Sequence, residues 1–190
     1  MKNSTLFILI ILLATAAFGQ QIEKLDSFYG VPIGSSIGDA ETMMSQKSGV
    51  TRIGNSMYDS LTYLGIFDGV SDSVVTFLST GGRICGGQVI LFPPYENDYA
   101  RLKKDLTSKY GKPVTEIIND EYVSGHSFPA TPSDGIRKGC GWECANGDFI
   151  TMMWLNPKNG AKASIQIGYF EKASLEQFQN ELRAKLNGDL

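Results

Sequence analysis

Residues 141–155 read Gly141-Trp142-Glu143-Cys144-Ala145-Asn146-Gly147-Asp148-Phe149-Ile150-Thr151-Met152-Met153-Trp154-Leu155. Asn-Gly between two apolar, β-prone arms is the strongest short-range hairpin signal a sequence carries, because a type I′ turn needs positive φ at both central residues. The arms predict strands over Ile136–Ala145 and Asp148–Leu155. Asn156-Pro157-Lys158-Asn159-Gly160 then turns the chain into a third strand, Ala161–Phe170. A second three-strand block lies upstream, at about Met57–Phe67, Ser73–Ser79 and Arg83–Phe92. Asp68-Gly69 and Thr80-Gly81-Gly82 are its turns.

Helices follow both blocks. From about Asn97 to Tyr110, the residues Tyr99, Leu102, Leu106 and Tyr110 recur at steps of three and four, and Gly111 and Pro113 stop the run. After the second block, Ser174 with Gln177 forms a capping-box start. The stripe Leu175, Phe178, Leu182 and Leu186 ends at Gly188. The two stripes stand at a constant offset of 76, and Val89 and Leu91 map onto Ile165 and Ile167 at the same offset. Two repeated strand-strand-strand-helix units are therefore expected, in halves 28–111 and 112–188. The expected class is α+β, an antiparallel β-sheet with helices packed on one face. A short helix near Ile37, Ala40, Met43 and Met44, begun by Ser36 and Asp39 and closed before Gly49, precedes the first block. Phe28–Ile33 reads as a short edge strand, since Pro32 cannot donate to a ladder. Val114–Ile118 reads as another strand, and 119–135 as a long polar loop.

The chain has 190 residues, 42% hydrophobic and 19% charged, with a formal net charge of -3. That composition excludes disorder and leaves no electrostatic case for nucleic acid. Lys2 followed by the uncharged run Leu6–Phe18 and then Ala17-Phe18-Gly19 has the form of a signal peptide, residues 1–19. As a helix the run reaches about 20 Å, short of the roughly 30 Å hydrocarbon core, so it reads as an address rather than a membrane span. Residues 20–190 are then a single exported domain with no membrane insertion after cleavage.

Cys85, Cys140 and Cys144 could oxidise in an exported protein. On one strand, Cys140 and Cys144 would stand about 13 Å apart, beyond disulfide reach. That geometry favours Cys85 bonding one of them. A loop around Gly139 and Gly141 would instead allow a local Cys140–Cys144 bridge, and a chain with no bridge is the third alternative. Their spacing with one distant histidine lacks the short-spaced ligand pairs of a zinc site, so no metal and no cofactor is expected. Gly86-Gly87 inside a strand marks a bulge or a close backbone approach. The only histidine, His126, lies in the 119–135 loop with Tyr122 and Phe128, and these three are the candidate ligand-binding residues. Arg101, Lys103, Lys104, Lys109 and Lys112, diluted by Asp98 and Asp105, read as a solvated face.

Two stretches, Phe28-Tyr29-Gly30-Val31-Pro32-Ile33-Gly34-Ser35 and Leu106-Thr107-Ser108-Lys109-Tyr110-Gly111-Lys112-Pro113, resemble segments that recur in small exported bacterial α+β proteins of unknown function. The resemblance implies a periplasmic or secreted protein and transfers no catalytic residue. The expected function is an exported, non-enzymatic binding protein of the bacterial envelope, inhibitor-like or immunity-like, whose partner is a protein or envelope ligand. The alternative is a secreted or periplasmic hydrolase working from the 119–135 loop, with His126, Asp120 and Glu121 as its acid/base set.

Overall fold

Nine antiparallel strands form one continuous sheet, in the computed structural model, which describes residues 22–55, 61–125, 135–156 and 162–174 together with Gln177 and Asn180. In chain order the strands are β3 (Thr51–Asn55), β4 (Leu61–Phe67), β5 (Val70–Thr80), β6 (Arg83–Leu91), β7 (Thr115–Ile118), β8 (Glu121–Ser124), β9 (Ile136–Glu143), β10 (Phe149–Leu155) and β11 (Ser164–Phe170). Across the sheet they run β3-β4-β5-β6-β11-β10-β9-β7-β8. A separate two-stranded ribbon, β1 (Ser27–Phe28) and β2 (Val31–Pro32), precedes them. The helices are α1 (Ile37–Ser45) and α2 (Glu96–Tyr110), and helix begins again at Lys172–Ser174.

The structure is thus mainly β. Alternation along the strands sends Val75, Phe77, Val89, Leu91, Ile150, Met152, Ile165 and Ile167 into one cluster. Ala40 and Met44 of α1 and Tyr99, Leu102, Leu106 and Tyr110 of α2 join it. Trp142 is fully buried and donates its indole N–H to the Gly111 carbonyl, 3.0 Å away. Ser36 caps α1 as expected, accepting from the Asp39 N–H at 3.1 Å.

Several expectations need correction. Phe28–Ile33 is not one edge strand but a hairpin, turned at Tyr29 and Gly30, both at positive φ. The first block contains an additional strand, β3, and residues 56–60 lie outside the described ones. The Asn146-Gly147 turn is not type I′: only Gly147 has positive φ, and its N–H bonds the Cys144 carbonyl at 2.9 Å in a longer turn. Helix after β11 begins at Lys172, two residues before the expected Ser174, and Leu175, Phe178, Leu182 and Leu186 lie outside the described residues. So does the segment read as a signal peptide.

The long loop is also partly wrong. Asn119 and Asp120, at φ 50° and 67°, make a tight turn, and Glu121–Ser124 return as β8 beside β7. No disulfide joins Cys85, Cys140 and Cys144, all buried. Strand order explains this for Cys85, because β11 and β10 lie between β6 and β9. Three strand spacings put Cys85 about 14 Å from a β9 cysteine, far past disulfide reach.

The Gly86-Gly87 expectation holds. The ladder is irregular where β5 meets this stretch, between Leu78 and Ser79. A Cβ on Gly87 would lie 2.0 Å from Cε1 of Phe28, and one on Gly86 would lie 2.1 Å from the Tyr169 carbonyl oxygen. Among the described residues, no helix is long and apolar enough to cross a membrane.

Candidate functional site

Helix α2 and strands β7 and β9 enclose a cleft of about 310 Å³. Helical spacing puts Glu96, Tyr99, Ala100 and Lys103 on the side of α2 that faces it. Strand pairing supplies the opposite wall: Glu116 stands directly across from Cys140, and Ile118 across from Lys138. At 48% exposure Ile118 is an open apolar wall, whereas Cys140, at 5%, lies at the bottom.

The charged side chains at the rim are committed to one another. Lys103 Nζ bonds Glu116 Oε1 at 2.8 Å, and Lys138 pairs with Glu96. Lys138 Nζ also lies 5.8 Å from the Tyr99 ring centroid and 6.0 Å from that of Trp154, within cation–π range. Deeper in, the Tyr99 hydroxyl and Cys140 Sγ are 3.6 Å apart.

Electrostatics follow from that burial. Desolvation pushes the Tyr99 phenol far above its ordinary range, and the neighbouring Cys140 adds to the shift. Burial also raises Cys140, against the opposing pull of the Tyr99 hydrogen bond and the Lys103 charge. Burial is the largest single influence on Lys103 and lowers it, but Glu116 and Cys140 together outweigh it, so its pKa is raised. At neutral pH the thiol and phenol are therefore protonated and the lysine charged. An activated thiol nucleophile would need the opposite shift. What the cleft offers is an apolar wall, two weakly polar hydrogen-bonding groups and a neutralised rim, which suits recognition.

The chain matches no family model, no curated protein and no solved structure.

The residues singled out from sequence fare unevenly. Tyr122 belongs to β8, where its backbone pairs with Ile117, one strand away from the cleft wall. His126 and Phe128 lie outside the described residues. Asp120 is employed structurally: its Oδ1 accepts the Ile136 N–H at 2.5 Å, tying the β7–β8 turn to β9. Lys103, read as part of a solvated face, is instead a rim residue, while Arg101 pairs with Asp68 and Asp98. Glu96, Ala100, Glu116, Ile118 and Lys138 escaped the sequence reading altogether. They come from three separate elements, and no local motif unites them. Among the described residues, no group of three or more His, Cys, Asp or Glu could hold a metal.

A second opening, about 370 Å³, lies at Phe92, Pro93 and Pro94 beside Lys162 and Ala163. It is apolar, with only the Lys162 side chain to orient a ligand.

Proposed function

We propose that the protein is an exported, non-enzymatic binding protein that seats an apolar group of its partner in the cleft beneath α2. The observation that carries this reading is the cleft's composition. Tyr99, Ala100, Ile118 and Cys140 form an apolar pocket of about 310 Å³, while Glu96–Lys138 and Lys103–Glu116 neutralise its rim. A few well-placed polar groups around an apolar cavity of that size are typical of ligand sites. The expected ligand is uncharged at the inserted end and small, about the size of one large apolar side chain. Export rests on the form of residues 1–19 and on the resemblance to small exported proteins.

The hydrolase alternative gains less support, because Asp120, one of its three acid/base candidates, is used as a backbone tie.

The finer architecture belongs to the same proposal: two units related by a pseudo-twofold axis between β6 and β11. The sequence offset of 76 supports it, since Ile90 lies directly opposite Gln166 and those two positions differ by 76. The helix starts at Glu96 and Lys172 differ by 76 as well.

The test is capture of ligand from an envelope extract by the wild-type chain and by Ala100→Trp, which fills the cleft from its exposed helical wall. The reading expects a bound species that Ala100→Trp no longer retains. Equal capture by both proteins would remove the cleft from the account.

A further inference from the structure

Of the polar side chains that line the α2 cleft, one lacks a partner equal to its chemistry. Glu96 with Lys138 and Lys103 with Glu116 are matched as ions at the rim, where each side chain is more than a third exposed and water completes its bonding. Tyr99 is different. It is 5% exposed, and among the described residues its hydroxyl has one hydrogen-bonding neighbour, Cys140 Sγ at 3.6 Å. Sulfur is a weak acceptor, and an O–H···O bond of roughly 2.7–2.8 Å is much the stronger. Burial keeps the phenol protonated, so it has a hydrogen to give. Its ring is held in place by Trp154, 6.1 Å away between centroids, and by Lys138 Nζ, 5.8 Å from its own centroid.

We infer that the group seated in the cleft carries a neutral carbonyl oxygen, which the Tyr99 hydroxyl recognises; this rests on the proposed reading of the cleft as an apolar seat. A purely hydrocarbon group would shut water out and leave the phenol hydrogen to sulfur alone, a loss for a buried donor. A carbonyl oxygen supplies the missing acceptor and brings no hydrogen of its own. A ligand hydroxyl would also accept from Tyr99, but its own hydrogen would find only the same sulfur at the bottom of the cleft. A carboxylate would have to compete with Glu96 and Glu116 for the two lysines they hold. Tyr99 is thus the residue that sets specificity within the apolar seat, because a site that presents a buried donor discriminates against analogues lacking its acceptor.

The test compares acetophenone with ethylbenzene, similar in size but without the carbonyl, by amide NMR titration of the full chain and of Tyr99→Phe. Loss of one neutral hydrogen bond should weaken acetophenone about fivefold in Tyr99→Phe and change ethylbenzene by less than about twofold. Equal effects on both compounds, or no effect on acetophenone, overturn the carbonyl assignment and leave the apolar seat in place. No saturable shift with either compound in the wild-type chain removes the seat and the carbonyl assignment together. A second readout needs no variant: acetophenone isotopically labelled at its carbonyl carbon, extrapolated to saturation on the wild-type chain, should resonate near its position in water, where the oxygen is hydrogen-bonded. A bound resonance at the position found in cyclohexane overturns the assignment.

Discussion

At the β6 end of the core face, the Phe28 ring lies where a Gly87 side chain would be. Phe28 packs edge-on to Phe77, with ring centroids 5.1 Å apart. At the β9 end, the space beside Tyr99 and Cys140 stays open. Both ends use the same alternation of strand side chains and the same cluster of buried residues. The difference lies in what covers them. The small β1–β2 hairpin presses an aromatic directly onto backbone, whereas α2 packs Tyr99, Leu102, Leu106 and Tyr110 into the core, and the ion pairs Glu96–Lys138 and Lys103–Glu116 line the edge beside the exposed Ile118. A surface closed by aromatic-on-glycine contact has no room for a ligand; one edged by paired charges does.

That contrast can be broken in several ways. The largest effect is expected from Gly87→Ala, whose new Cβ would lie 2.0 Å from Phe28 Cε1. Overpacking of this kind should cost about 3 kcal/mol or more in urea denaturation. Phe28→Leu in the same chain should recover part of that loss, a coupling of about 1 kcal/mol or more. Additive losses would mean that the two residues do not meet.

Asp148→Ala should follow. Its buried carboxylate accepts the Leu25 and Lys172 N–H groups, both at 3.0 Å, and joins the N-terminal segment to the helix after β11. Leaving the buried Leu25 N–H without an acceptor, and freeing the Lys172 N–H to solvent, should cost about 2 kcal/mol by the same measurement. A loss below about 0.5 kcal/mol would show that the tie is not made.

A smaller, pH-dependent effect comes from Cys144. Burial, then Asp148, Glu143 and Asp26, push its thiol up to about 11 from 9.0. The folded chain keeps this proton where the unfolded chain loses it. Its contribution is therefore intact below pH 9.0 and falls away as pH rises toward about 11. Denaturation curves of wild type and Cys144→Ala across that range should diverge below it and converge above it; parallel curves would refute the shift.

The smallest stability change belongs to the open end. Ala100→Trp, on the exposed side of α2, should stay within about 0.5 kcal/mol of wild type while abolishing ligand capture. A large destabilisation would mean that the cleft is not open space.

How much of this was legible in the sequence depended on whether the signal was local. The α2 stripe of Tyr99, Leu102, Leu106 and Tyr110 is buried as expected, because helical period alone determines which side faces the core. Asp68-Gly69 and Gly81-Gly82 turn at positive φ, as glycine-containing pairs should. Asn119 and Asp120 adopt the same left-handed conformation without a glycine, which is why β8 was hidden inside a polar stretch. Strand β3 was hidden too, since Thr51-Arg52-Ile53-Gly54-Asn55 contains one apolar residue and a bulge. Neither the cysteine separation nor the cleft was readable, because both depend on the order in which strands assemble. Glu116 faces Cys140 only because β7 joins β9 from outside, and nothing in either segment announces it.

The central claim is that the space beside Tyr99, Ile118 and Cys140 receives an apolar group. Its most direct test is an amide NMR titration of the full-length chain with indole, a ring-sized apolar ligand. The account predicts saturable shifts concentrated at Tyr99, Ile118, Gly139 and Cys140 and absent in Ala100→Trp. Shifts centred instead on Phe92 and Ala163, or no saturable shift at all, would contradict it.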